Sequence, residues 1–127
     1  MKGKKISFIG GGNMAEAMLR GLLKKKIIAP KQVLVSEPRE ERTQFLSQKY
    51  RMHVTLDNEA AVRFGEIIIL AVKPQIIKGV LQEIAGVVTS KQVIISIAAG
   101  ITTAFITSQR GNHHGGLESG SIPEIQE

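Results

Sequence analysis

Apolar and polar positions along this chain follow two rhythms in turn. Lys4–Ile9 is a short apolar run that predicts a strand. Asn13–Lys26 then places Met14, Met18 and Leu22 on one stripe, flanked by Leu19 and Leu23, which is the spacing of an amphipathic helix. "QVLVS", Gln32–Ser36, predicts a second strand, Arg39–Tyr50 a charged helix with Phe45, Leu46 and Tyr50 on its apolar side, and Met52–Val54 a short third strand. Asp57 or Asn58 caps a small helix reaching Phe64, since short oxygen-bearing side chains satisfy free amides at a helix start. Glu66–Ala71 is apolar on both faces, as in the middle of a parallel sheet. Pro74 suits a first helical turn, and Ile77, Val80, Leu81, Ile84 and Val88 continue that helix. Gln92–Ala98 reads as a fifth strand and Thr102–Gln109 as the start of another helix. Strands alternating with helices predict an α/β fold, a doubly wound parallel sheet covered on both faces.

Length and composition narrow the class. A chain of 127 residues with 43% hydrophobic content suits one compact domain. The absence of cysteine excludes disulfides, thiolate chemistry and cysteine-based zinc sites, and fits a cytoplasmic setting. The longest apolar run, Ile67–Val72, is too short to span a bilayer, and the basic, then apolar N-terminus breaks into glycines too early for a signal peptide. Net charge is +6, and all of the excess lies in residues 1–60, with 12 Lys/Arg against 6 Asp/Glu. With only 4% aromatic residues to stack bases, this favours an anionic small ligand over nucleic acid. From Gly111 the sequence turns Gly/Ser-rich and acidic and reads as a flexible tail over 111–127, following a domain over 1–110. His113 and His114 are adjacent in that tail without a carboxylate at ligand spacing, so no metal is expected.

The chemistry is concentrated where strands end. Gly10, Gly12 and Ala15 fit G-x-G-x-x-A between a strand and a helix, the Rossmann-type fingerprint for a dinucleotide. Gly10 permits the turn, Gly12 admits a pyrophosphate to the backbone amides at the helix N-terminus, and Ala15 lets the helix lie close. Gly11 occupies the motif's variable slot, so a side chain should cost least there. After the second strand, "VSEPREER" leaves two readings. Glu37 could hold a ribose 2′-hydroxyl, as for NAD. Ser36, Arg39 and Arg42 could instead hold a 2′-phosphate, and this NADP reading is preferred. "LAVKPQ", Leu70–Gln75, and "SIAAG", Ser96–Gly100, end the fourth and fifth strands, where ligands bind in open α/β sheets. Lys73 could act in catalysis or be a loop lysine held extended before proline; no Ser/His/Asp or paired-carboxylate constellation stands out.

Together "FIGGGNMAEAMLRGLL", "VSEPREER", "IIILAVKPQ", "VLQEIA" and "IISIAAGIT" closely resemble the amino-terminal half of pyrroline-5-carboxylate reductase, over roughly residues 4–109. The resemblance implies NADPH- or NADH-dependent reduction of 1-pyrroline-5-carboxylate to proline, the last step of proline biosynthesis, by a homo-oligomeric enzyme. It implies that Gly10, Gly12, Asn13 and Met14 cradle the pyrophosphate. Ser36 and Arg39 would meet the adenosine 2′ substituent, with Asn58 near the adenine ribose. Ala71, Val72, Lys73 and Pro74 would border the nicotinamide, with Ala98 and Ala99 behind; the resemblance assigns no catalytic residue within this chain. The family's "MPNTP" segment and helical second domain, which holds most of the imino-acid site, have no counterpart here, and "RGNHHGGLESGSIPEIQE" departs from the family pattern as a truncated or non-native end would. The expectation is a cofactor domain that binds NADP(H) weakly and turns over little substrate. Another NADP-dependent reductase, of the 3-hydroxyacid dehydrogenase type, or a non-catalytic nucleotide-binding module would share the same fingerprint.

Overall fold

The computed structural model of the chain describes residues 3–97. The expected helix Thr102–Gln109, the tail from Gly111, and Ala98 and Ala99 lie outside the described residues. Five parallel strands form one sheet: β1 Ile6–Ile9, β2 Val33–Ser36, β3 His53–Thr55, β4 Ile67–Leu70 and β5 Val93–Ser96, in the order β3-β2-β1-β4-β5. The helices are α1 Asn13–Lys24, α2 Glu40–Tyr50, α3 Asn58–Phe64 and α4 Pro74–Ile84, with a 3-10 turn at Pro30–Gln32 before β2.

Alternation along the central strands builds two cores. Ile6 and Phe8 point to the side of α1 and α2, where they join Leu19, Val33, Val35, Leu46 and Met52. Ile9, Ile68, Leu70 and Ile94 point the other way, onto Val62 of α3 and Val80, Leu81 and Ile84 of α4. Burial on both faces explains why β4 is apolar throughout. The chain leaves β3 at one edge and returns beside β1, so β1 and β4 are neighbours whose following helices pack on opposite faces. A crevice opens at the carboxyl ends of such a pair.

The helix faces differ in detail from the expected stripes. On α1 the buried positions are Ala15, Glu16 and Leu19, while Met18 and Leu22 are half-buried and Met14 is 42% exposed. On α2 they are Thr43 and Leu46, and Phe45 is exposed, with the Arg42 and Lys49 cations over its ring. Between the two helices lie polar contacts that apolar periodicity does not register, from Arg42 and Tyr50 to Glu16. Helix α1 ends at Lys24, two residues early, because Lys26 adopts φ 58° and the amides of Lys26 and Ile27 close back onto Leu23 O and Leu22 O, a Schellman ending. Asp57, not Asn58, caps α3, its carboxylate accepting from the Glu59 amide at 3.0 Å.

Candidate dinucleotide site

A cleft of about 340 Å³ lies at the carboxyl ends of β1, β2 and β4. Gly10–Gly12 form one wall, Ser36–Arg39 the second, Ala71–Lys73 the third, with Asn58 at the side. The structure thus brings together Gly10, Gly12, Ser36, Arg39, Asn58, Ala71, Val72 and Lys73. Asn13 and Met14 are exposed in the first turn of α1 and do not line the cleft, and neither does Pro74, the first residue of α4. Pro74 acts through its neighbour: Lys73, extended at φ −64° and ψ 148°, is the N-cap of α4 and is exposed at the cleft.

Each glycine of the turn has a separate reason. Gly10 has φ +105°, and a Cβ there would lie 2.5 Å from Ala71 O, because the chain must pass β4 while the Gly10 amide bonds Ser36 O at 2.8 Å. Gly11 overturns the expectation of a tolerant slot. Its Cβ would meet Leu46 Cδ1, Val35 Cγ1 and Glu37 Cβ at 3.0, 3.1 and 3.2 Å. A Cβ on Gly12 would approach nothing closer than Arg39 Nη2 at 3.9 Å. Gly12 is the N-cap of α1 and no side chain caps the helix. The first intrahelical bond runs from Glu16 N to Gly12 O, so the amides before Glu16 have no helical acceptor. Open space beside uncapped amides at the positive end of a helix dipole fits an anion.

The charged residues after β2 sort themselves by their bonds. Glu37 is buried. Its Oε1 accepts from the Gly11 amide at 2.9 Å, and its Oε2 accepts from the Arg39 amide at 3.1 Å and Arg39 Nε at 2.7 Å. Burial pushes the carboxyl upward, but these three donors outweigh it and hold the carboxyl below its ordinary value. Arg39 remains more than half exposed at the cleft. Ser36, almost fully buried, donates its hydroxyl to Asn58 Oδ1, and Asn58 Nδ2 donates to Glu83 Oε1 at 2.9 Å. Arg42 departs from its expected place: it does not line the cleft, and its Nε donates to Gly11 O at 2.5 Å while Nη2 donates to Glu16 Oε1 at 2.8 Å.

Glu16 is the residue that sequence reasoning passed over, although a carboxylate inside an otherwise apolar face was the available signal. The Tyr50 hydroxyl donates to it at 2.5 Å, and Lys49 Nζ lies at 3.4 Å. The Tyr50 bond is the main cause that lowers its carboxyl to about 2; burial opposes it, and Arg42 and Lys49 add to it. A folded-state value below the unfolded one stabilises the fold above the unfolded value and loses that contribution on acidification. Thermal unfolding is therefore expected to show stability falling from about pH 4.5 to about pH 2, by on the order of 2–3 kcal/mol from this group. Glu16→Gln should flatten that fall, and a slope unchanged in the variant would refute the assignment.

Among the described residues no group of three His, Cys, Asp or Glu side chains is placed to hold a metal, and no helix is long and apolar enough to cross a membrane.

With this geometry in view, comparison with known proteins decides the family. The family model described as "NADP oxidoreductase coenzyme F420-dependent" matches residues 5–100. The chain belongs to that family. Within it, the chain is similar to pyrroline-5-carboxylate reductases. That of Synechocystis sp. is 40% identical over 97 residues, 76% of this chain and 36% of the relative. Among solved structures, a pyrroline-5-carboxylate reductase from Coxiella burnetii superposes with TM-score 0.72 at 31% identity, covering 84% of this chain and 39% of that one. The Plasmodium falciparum pyrroline carboxylate reductase with NADP bound gives TM-score 0.65 at 30% identity, covering 77% and 34%. The chain spans between 34% and 40% of the length of such curated relatives.

Proposed function

We propose that this chain is the cofactor-binding part of a pyrroline-5-carboxylate reductase and that its cleft takes NADPH. One observation carries the choice of NADP over NAD: both oxygens of the Glu37 carboxylate are already occupied, by the Gly11 amide and by the Arg39 amide and Nε. The exposed Arg39 guanidinium is left at the cleft, and a guanidinium matches a phosphate bidentately. The description of the family and the NADP named for the Plasmodium relative support the same reading.

In this reading Gly12 and the first turn of α1, Asn13 and Met14 included, receive the pyrophosphate through backbone amides. Arg39 meets the 2′-phosphate. Ser36 and Asn58 fix the floor beneath the adenine ribose. Ala71 and Val72 form a largely apolar wall along the nicotinamide side, and Pro74 holds Lys73 extended beside it; Ala98 belongs to this group of positions by sequence. When bound, the reduced dinucleotide supplies a hydride to the imine carbon of 1-pyrroline-5-carboxylate, and the ring nitrogen ends up protonated, giving L-proline. The residues described here orient that reductant and shield it. The chain covers 36% of the Synechocystis reductase, and the imino-acid site is proposed to draw on residues outside the span described here.

Isothermal titration of the chain with NADPH and NADH separately tests this. NADPH should bind more tightly by at least about tenfold, or 1.4 kcal/mol, and Arg39→Met should bring the two affinities together. Binding of neither dinucleotide, or a preference for NADH, would reject the reading.

A further inference from the structure

We propose that Arg42 is a positioning residue for the dinucleotide: it fixes the Gly11–Gly12 peptide so that the Gly12 amide faces the pyrophosphate. The inference rests on the reading of the cleft given above. Arg42 lies near the start of α2, its side chain 17% exposed, and contributes nothing to the cleft wall. Its Nε donates to Gly11 O at 2.5 Å. The peptide is trans, so the Gly12 N–H points opposite to that carbonyl. The carbonyl faces α2; the amide therefore faces the other side, where Gly12 borders the cleft and has open space.

The guanidinium is itself held. Its Nη2 donates to Glu16 Oε1 at 2.8 Å, and the second oxygen of Glu16 is taken by the Tyr50 hydroxyl at 2.5 Å. Gly11 is thus tied at both polar groups, its amide by Glu37 and its carbonyl by Arg42. Glycines on both sides would otherwise let this peptide rotate, and a ligand would have to order it on binding. A donor set in place beforehand avoids that cost.

The test uses the whole chain and three ligands: NADPH, NADH and 2′-AMP, which carries the 2′-phosphate but no pyrophosphate. Arg42→Met should weaken NADPH and NADH alike by about tenfold, the worth of one charge-assisted hydrogen bond. Their ratio and the affinity for 2′-AMP should stay as in the wild type. Arg39→Met, by contrast, should weaken NADPH and 2′-AMP and spare NADH. Circular dichroism checks folding. If Arg42→Met does not fold, Arg42→Lys serves, because an ammonium beside Glu16 cannot also span to Gly11 O as the fork does, and the same parallel loss is expected. Dinucleotide affinities within about twofold of wild type, a loss confined to NADPH, or an equal loss of 2′-AMP would each overturn the proposal. Wild-type protein that binds neither dinucleotide would remove the functional reading and this inference with it.

Discussion

Gly10→Ala is expected to destabilise the fold by about 3 kcal/mol or more, combining a left-handed backbone penalty with overpacking. The alanine methyl would need the space of Ala71 O, 2.5 Å away, and Ala71 C, 2.9 Å away, at a residue with φ +105°. Neither neighbour can yield. Ala71 is backbone at the end of a buried strand and its amide bonds Ile9 O at 2.8 Å, while Gly10 itself is held to Ser36 O. Urea unfolding followed by circular dichroism measures the effect, and a midpoint near that of the wild type would show that the turn relaxes where the geometry says it cannot. Dinucleotide binding should disappear with the fold of this turn, because three strands meet on it.

Gly11→Ala and Gly12→Ala should separate stability from binding. At Gly11 a methyl presses on Val35 and Glu37 as well as the movable end of Leu46, so a loss of about 1–2 kcal/mol is expected, toward the lower part of the overpacking range. At Gly12, with φ −82° and open space, stability should stay within about 0.5 kcal/mol, as for a surface change. Yet, in the proposed reading, the methyl would stand on the pyrophosphate's approach, and NADPH affinity should fall by at least about tenfold, 1.4 kcal/mol. Paired urea and titration measurements on the two variants decide the matter. Retained affinity in Gly12→Ala would remove the phosphate from this wall of the cleft.

The fold and most of the cleft were legible because they follow from local rules. Apolar patterns and the cap signal before α3 located the five strands and four α-helices among the described residues, though not the 3-10 turn at Pro30–Gln32, and the ends of strands gave Gly10, Gly12, Ser36, Ala71 and Lys73. What escaped is polar and non-local. Arg39 holds one oxygen of Glu37 from two residues away, but the other goes to Gly11, 26 residues away, which no local pattern shows. Arg42 carries the same charge as Arg39 and follows it by three positions, yet Glu16 and Gly11 O draw it to the opposite side. Periodicity placed Met14 on the inner stripe of α1, yet it is exposed while Glu16 is buried with Arg42 and Tyr50 as partners. The variable slot of the glycine motif looked free because a motif records which residue touches the ligand; Gly11 is constrained from behind, by side chains of β2 and α2.

The double tether of Gly11 also says when a binding-competent turn exists during folding. Its two bonds span 26 and 31 residues, and the Tyr50–Glu16 bond that steadies the second spans 34. Closing loops of that length costs entropy before any contact repays it. The first dozen residues, which look like a self-contained nucleotide loop, therefore acquire their shape only after α2 has docked. The cleft is complete only when β1, α1, β2 and α2 have assembled together with the end of β4 at Ala71.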